Sequence, residues 1–598
     1  MNRSTRRPPH TAPTRTRTLA ARPGRLTAAG LAVITLTAVL LLAWVSTAQA
    51  SVWVIPVMGR AFPTTKPGAA KKIAIDAAGN EYQGVQVCLR GGGDHSATFS
   101  WSTDSSPLIS DPANTKLDRV YYVNVTSPTT HLGSHRGPYP DPLVPRDFGA
   151  RQRIPGSTTP FYILVHVPLG TPAGTYTATL HVENGNEVTD VPFSLRVWDF
   201  GWSKISTHTA FAVSQDNLKR SLPRNFRFDG QNKAEVLGNF YTMMAQHGLS
   251  PTVVHYLPKV ADSGNVEKEK IWAASVAPFL DTSGVDLTDN QLPLLRFFPW
   301  SRSEHPSSGA ILNYLTQMAR VYKEHGWDTK SYLYVLDETT KQSEERAAER
   351  YARLLHSADK ATGAKVKFLL TDDPRPHSLG GVKTANTFLY DDVDIWTLRY
   401  YYFFGRIPAV QERQRAGKEI WWYSYVNDSV ARTPSFVIDK PHIDSRAWGW
   451  LMEKWNVDGL LNWGFNRWGK PATGNGWRDP YRNPLSLVKG ATRSNGDTSL
   501  IYPGYYPRYG LDRPTAAPVS SLRLEALRDG LEDREYLKLA KTFSGGGDEV
   551  AKVLRTIITR VPKVRQANVF DFPRYTASNA VFDAARTDVA AFIESHQQ

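Results

Sequence analysis

The sequence predicts a multi-domain protein with an N-terminal all-β sandwich, a central (β/α)8 TIM-like barrel and a C-terminal, mostly helical extension. Three observations predict this. The chain has 598 residues, more than one hydrophobic core holds at roughly 100–200 residues per domain. Residues 51–204 carry short Val, Ile, Tyr, Phe and Thr runs between Gly, Pro, Asn and Asp turns, the pattern of short antiparallel strands. From residue 205 to 497, strand-length apolar runs alternate with helix-length segments, the pattern of a parallel α/β domain. Residues 498–598 form the extension.

Residues 1–50 come first and read as an export signal. Seven arginines (Arg3, Arg6, Arg7, Arg15, Arg17, Arg22, Arg25) and no acid precede a nearly continuous apolar run from Leu26 to Trp44. Ala48-Gln49-Ala50 then gives a small-x-small cleavage pattern, so a secretory signal cut before Ser51 is expected, and with it a secreted protein. The apolar run is also long enough to remain as a membrane anchor. A membrane is expected as a partner only in that case. Without the seven arginines the formal charge falls from +15 to +8. The remaining basic residues are scattered and no basic-aromatic motif appears, so no nucleic-acid partner is expected.

The sandwich rests on runs such as Arg119–Val125, Phe161–Val167, Thr175–Val182 and Pro192–Val197, with Gly170 to Gly174 as a turn. Gly137 to Leu143 holds three alternate prolines and is expected to be a rigid loop reaching over a neighbouring domain. Cys88 is the only cysteine, in the apolar run Val85–Leu89. It reads as a buried, inert thiol.

The barrel rests on apolar runs at Thr209–Val213, Pro251–His255, Ser331–Leu336, Val366–Thr371, Val393–Trp396, Ile420–Ser424 and Gly459–Trp463. Helical patterns intervene at Lys233–His247, Ala310–His325, Glu344–Ala361 and Asp444–Trp455. About eight strands over roughly 260 residues suit a closed barrel better than an open sheet. No glycine-rich nucleotide turn follows the first strand, which counts against a dinucleotide fold. Ser521–Lys541 and Glu549–Val561 continue the helical spacing into the extension.

In such a barrel the reacting groups sit where strands end. Polar or aromatic residues at those ends are His255, Trp300, Asp337, Glu338, Asp372, Asp373, Trp396, Tyr423, Trp463, Asn466 and Trp468. The sharpest is Leu333-Tyr334-Val335-Leu336-Asp337-Glu338, an apolar strand ending in two carboxylates. Two carboxyls this close do not both ionise easily, which suits one of them to donate a proton near neutral pH. The alternative is that the acids cap the following helix. Thr339 and Gln342 can supply that cap as a Thr-x-x-Gln box, which leaves the acids unneeded there. Asp372-Asp373-Pro374 reads as a turn, and Asp391, Asp392 and Asp394 as loop acids. The chain has 17 tryptophans. Each alone reads as core packing, and their clustering at strand ends makes a flat surface for a sugar face an equal reading there.

Four segments resemble glycoside hydrolase family 123 and its relatives. They are Gly459 to Trp468, Ser521 to Leu537, Tyr139-Pro140-Asp141-Pro142-Leu143 and Val197-Trp198-Asp199-Phe200. Tyr334 through Glu338 is similar to that family's catalytic Tyr-x-x-Asp-Glu. The matches run in order from about residue 75 to 540. The resemblance implies the same three-part architecture and a retaining, exo-acting β-N-acetylgalactosaminidase whose nucleophile is the substrate's own 2-acetamido oxygen. It implies Glu338 as general acid/base and Asp337 as the group that holds the acetamido N–H. It also implies an aromatic box for the acetamido methyl, for which Trp396, Trp422, Tyr423 and Trp463 are the candidates, beside Asn466, Trp468 and His255 as further substrate-binding residues. No metal and no cofactor is implied. Relatives commonly place Pro after Asp-Glu, where Thr339 stands here. Two other readings remain open. One is a secreted glycan-binding protein with an inactive barrel. The other is a glycosidase on sugars lacking an acetamido group, which needs a further carboxylate about 5–10 Å from Glu338, at Asp372 or Asp394.

Overall fold

A computed structural model describes residues 51–91, 94–130, 132–145, 152–153, 157–254, 261, 263–281, 285–291, 307–339, 341–374, 377–379, 382–384, 389–424, 433–468, 477–489, 492–562 and 572–597. The sequence expectations for residues 1–50, His255 and Trp300 lie outside these.

The N-terminal region is strand-rich, with two sheets over one core. The first sheet orders the strands Ser51–Ile55, Tyr82–Arg90, Thr158–His166, Thr115–Val125 and Gly137–Pro145, and the second runs Ile73–Gly79, Glu187–Gly201, Gly174–Asn184, Asp94–Trp101 and Gln152–Arg153. Alternate residues of each sheet point inward. Val85, Val87, Leu89, Ile163 and Val165 of the first sheet meet Leu180, Phe193 and Leu195 of the second. Cys88 faces the other way and is fully buried, and burial pushes its thiol up to about 12.

Gly137 to Leu143 corrects the sequence expectation, because it is a strand rather than a loop. Pro138, Pro140 and Pro142 alternate, so the missing donors all face one side of the strand. The segment does reach beyond its own region. Its far edge pairs with Ser520–Ser521, and its Asp141 is buried against the C-terminal region.

The central region is a curled parallel sheet of seven strands. In sheet order these are His208–Phe211, Gly459–Asn462, Glu419–Tyr423, Ile395–Arg399, Lys367–Thr371, Ser331–Asp337 and Asn290–Gln291. First and last strands in the chain are neighbours, and every pairing is parallel. The segment from Pro251, expected as a strand, contributes one bridge to Phe211. Across the remaining edge the contact is through side chains, with Ser250 Oγ accepting from Asp289 N–H at 3.1 Å. The expected eight paired strands are therefore seven among the described residues. Helices Gly230–Gln246, Ser308–Glu324, Gln342–Thr362 and Ile443–Trp455 lie near their expected bounds.

The chain continues into helices Leu522–Ala540, Gly546–Ile557 and Asn579–His596. The first of these is buried at every position from Leu522 to Leu537, so it has no solvent face. It crosses Ile443–Trp455 at a distance only glycine permits. A Cβ at Gly449 would lie 1.7 Å from the Gly530 carbonyl oxygen, and one at Gly530 would lie 2.1 Å from that of Arg446. Most of its charged residues are compensated by partners from the other two regions. Arg523 donates to both oxygens of Asp141 at 2.9 and 2.8 Å. Arg446 holds Asp533 at 2.7 and 3.0 Å, Arg534 meets Glu453 at 3.1 Å, and Glu532 accepts from Tyr82 N–H at 3.0 Å. Among the described residues no helix is long and apolar enough to cross a membrane.

Candidate active site

Strand alternation decides which side chains reach the inner face of the sheet. The inner cluster is Ala210, Tyr332, Tyr334, Leu369, Ile395, Trp421, Tyr423 and Leu461.

 A regular strand would send Asp337 to the face opposite Tyr334. The register shifts here, with Tyr334 opposite Leu369 and Asp337 opposite Thr371, so three residues of one strand span two of its neighbour. This bulge places Val335 and Leu336 in the outer core and returns Asp337 to the inner face.

Thr371, at the end of the neighbouring strand, holds both acids. Its hydroxyl donates to Asp337 Oδ1 at 2.9 Å and accepts from Glu338 N–H at 2.9 Å. Tyr334 Oη–H donates to the same Asp337 oxygen at 2.7 Å. Glu338 has a φ of +47°, a left-handed backbone that a side chain with a Cβ adopts at a cost. Tyr423 Oη–H donates to Glu338 Oε1 at 2.5 Å. Burial, then the Glu338 carboxylate, hold the Tyr423 phenol far above its ordinary range, and burial and Asp337 do the same for Tyr334. Both tyrosines therefore stay protonated and donate. Asp337 and Glu338 are exposed, at the end of the sheet where the strands finish.

The acids do not cap the next helix. Its N-cap is Lys341, whose N–H donates to Glu344 at 3.1 Å. The expected Thr339 and Gln342 box is not used either, because the Thr339 hydroxyl donates to Asp372.

The other candidates divide by the same alternation. Tyr423 faces inward, whereas Trp396 and Trp422, one residue out of phase with that face, are fully buried on the outer one. Trp396 packs against Tyr390 at 6.1 Å, and Trp422 lies among Tyr400, Phe403 and Trp448 at 5.1, 4.8 and 6.2 Å. Neither reaches the mouth as expected. Asn466 is also buried, with its side chain bonded to the Ser214 backbone at 2.7 and 3.0 Å. Trp468 is buried too, and its indole N–H donates to the Ile501 carbonyl at 3.0 Å. Trp463 is half-buried just beyond the strand Gly459–Asn462, with the Arg467 guanidinium 4.6 Å from its ring centre. Asp394 precedes its strand, at the end of the sheet opposite Asp337, and bonds His356 and Phe368 N–H. Asp372 lies at the same end as Asp337.

Sequence reasoning missed Thr371 and Arg399. Thr371 was legible only through a bulge that no residue pattern announces. Arg399 shares the inward phase of Ile395 and Thr397 and is opposite Tyr423 in register.

A family model described as the glycoside hydrolase 123 catalytic domain matches residues 225–540. A solved family 123 glycoside hydrolase from Clostridium perfringens, studied for glycolipid glycan hydrolysis, is similar over 92% of this chain and 98% of its own, with a TM-score of 0.65 and 13% identity. The endo-β-1,4-mannanase of Thermotoga petrophila is similar over 55% of this chain and 77% of its own, with a TM-score of 0.31 and 11% identity. No curated protein matches the sequence.

Proposed function

Because the chain belongs to glycoside hydrolase family 123 and is a glycosidase, we propose that it is a secreted, exo-acting, retaining β-N-acetylgalactosaminidase that uses the substrate's 2-acetamido group as nucleophile. The parallel sheet is read as a (β/α)8 barrel whose mouth holds the sugar. The observation that carries the reading is the pair of adjacent acids held by different neutral donors, Asp337 by Tyr334 and Thr371, and Glu338 by Tyr423.

In the first step the acetamido carbonyl oxygen attacks C1 while the bond from C1 to the leaving oxygen breaks. Glu338 gives its proton to that oxygen. Asp337 accepts a hydrogen bond from the acetamido N–H and stabilises the positive charge that develops on the ring formed. In the second step Glu338, now a carboxylate, takes a proton from water as that water attacks C1 and the bond from C1 to the acetamido oxygen breaks, which restores the acetamido group. Adjacent residues can divide these roles because the bulge and the left-handed turn present them separately. The substrate is a glycan or glycoconjugate ending in this sugar.

The test is hydrolysis of an aryl β-N-acetylgalactosaminide by the wild type, Glu338→Gln and Asp337→Asn. Turnover lost in both variants, with folding intact, supports the reading. Cleavage only of aryl glycosides lacking the acetamido group overturns the mechanism. Export is tested separately, by finding Ser51 at the N-terminus of protein in the culture medium.

A further inference from the structure

At the end of the sheet opposite Asp337, where the parallel strands begin, two clefts of about 810 and 620 Å³ adjoin. Ile205, Thr288 and Lys330 line them and lead directly into three of the strands. The larger cleft brings together Trp202 of the strand-rich region and Thr242 and Gln246 of the helix Gly230–Gln246. The smaller is lined by His325, Trp327 and Thr329. Lys204 and Asp286 belong to both and form the ridge between them. The Asp286 carboxylate takes Lys204 Nζ at 2.6 Å and Lys330 Nζ at 2.9 Å.

Each cleft has a flat aromatic wall. Trp202 is half-buried and braced edge-on by Tyr536 at 5.2 Å. His325 is exposed and lies flat on buried Trp327, with ring centres 4.3 Å apart and planes 17° apart. The Gln246 carboxamide and the Thr242 hydroxyl make no hydrogen bond within the described chain, so they face the larger cleft uncommitted. A pyranose presents an apolar C–H face and a rim of hydroxyls, which suits this combination of ring face and neutral donors and acceptors. An apolar ligand would leave the carboxamide unpaired. A phosphate would meet the carboxylates of Asp281, Asp286 and Glu532, which outnumber Lys204 and Lys330 in the lining.

We propose that the two clefts are a second, non-catalytic saccharide site, which holds a glycan of two or more sugars across the Lys204–Asp286 ridge with one ring on Trp202. Such a site would anchor a glycan at the far end of the sheet from the reacting bond.

The experiment is calorimetric titration of the full chain carrying Glu338→Gln, which keeps the ligand whole. The probes are lactose, chitobiose and β-N-acetylgalactosaminyl-galactose. At least one is expected to show a binding equivalent that weakens tenfold or more in Thr242→Val/Gln246→Leu and in Trp202→Ala. In a chain otherwise wild type, Thr242→Val/Gln246→Leu is expected to leave aryl glycoside turnover within twofold. Binding of none of the three probes overturns the proposal, as does a titration unchanged in the double variant. That variant changes two rim side chains only, so it remains informative if Trp202→Ala fails to fold. A failure of the acetamido mechanism would appear in aryl glycoside hydrolysis and leave this titration as it is.

Discussion

The mouth of the sheet and the helix Leu522–Ala540 use the same residue types to opposite ends. At the mouth, Asp337 and Glu338 are exposed and held by neutral hydroxyls, and among the described residues neither makes an ion pair. On the helix, acids are buried and set against guanidinium groups, as in Arg523 with Asp141 and Arg446 with Asp533. A carboxylate fixed by neutral donors at a solvent edge remains free to exchange a proton. One locked to arginine in the interior fixes the arrangement of three regions and is chemically idle. Density of charged residues in the sequence therefore does not locate the chemistry. What neutralises them does.

Removing a cation from the helix should give the largest effect. Arg523→Ala leaves Asp141 buried without its partner, and its five donated bonds reach Asp141, Phe436, Gly496 and Ser499. A loss of about 3–5 kcal/mol is expected by urea denaturation. Asp337→Asn should change stability by under about 0.5 kcal/mol in the same experiment, as for exposed positions generally. A similar loss in both would erase the distinction. Next comes Glu338→Gln, expected to lower kcat by about 10²–10⁴ with the melting temperature unchanged. Smaller again is Thr371→Val, which removes one bond to each acid. It should lower kcat/KM about tenfold, the scale of a lost hydrogen bond to a charged group. Thr371→Ser, which keeps the hydroxyl, should restore most of it. Failure of serine to restore activity would assign Thr371 to packing.

Much of this was legible in the sequence, for identifiable reasons. The helices Gln342–Thr362 and Leu522–Ala540 carry long runs with strong helix formers, and the strand Ser331–Asp337 is an apolar run with a sharp polar end. The adjacent acids stood out because nothing local required them. Trp396 and Trp422 did not resolve, because a strand buried on both faces is apolar at every position and its phase cannot be read from composition. The proline-bearing strand Gly137–Pro145 failed for a related reason. Prolines exclude a central strand only when their missing donors face a neighbour that needs them. Thr371 required the bulge, which depends on pairing between segments distant in the chain.

The mildest way to separate the two regions is by pH. Asp529 lies on the buried helix between Arg528 and Asp533, with Glu525 and Arg446 near, and neither of its oxygens has a hydrogen-bond partner. Burial pushes its carboxyl up to about 7, against the pull of Arg528 and Arg446. In the unfolded chain the same group ionises near pH 4. Across that window the folded protein binds a proton that the unfolded chain has released. The contribution of Asp529 to stability is thus whole below about pH 4, declines as pH rises through about 7 and is constant above. The slope from one such group is at most about 1.4 kcal/mol per pH unit. Asp529→Asn should flatten that part of the profile when urea denaturation is followed from pH 4.5 to 8, leaving the variant more stable relative to wild type at pH 8 than at pH 4.5. Turnover measured at each pH should retain its own dependence in the variant, because the mouth lies apart from this helix. A variant whose stability stays parallel to the wild type throughout would mean that Asp529 is ionised when folded, and that the arginines beside it outweigh its burial.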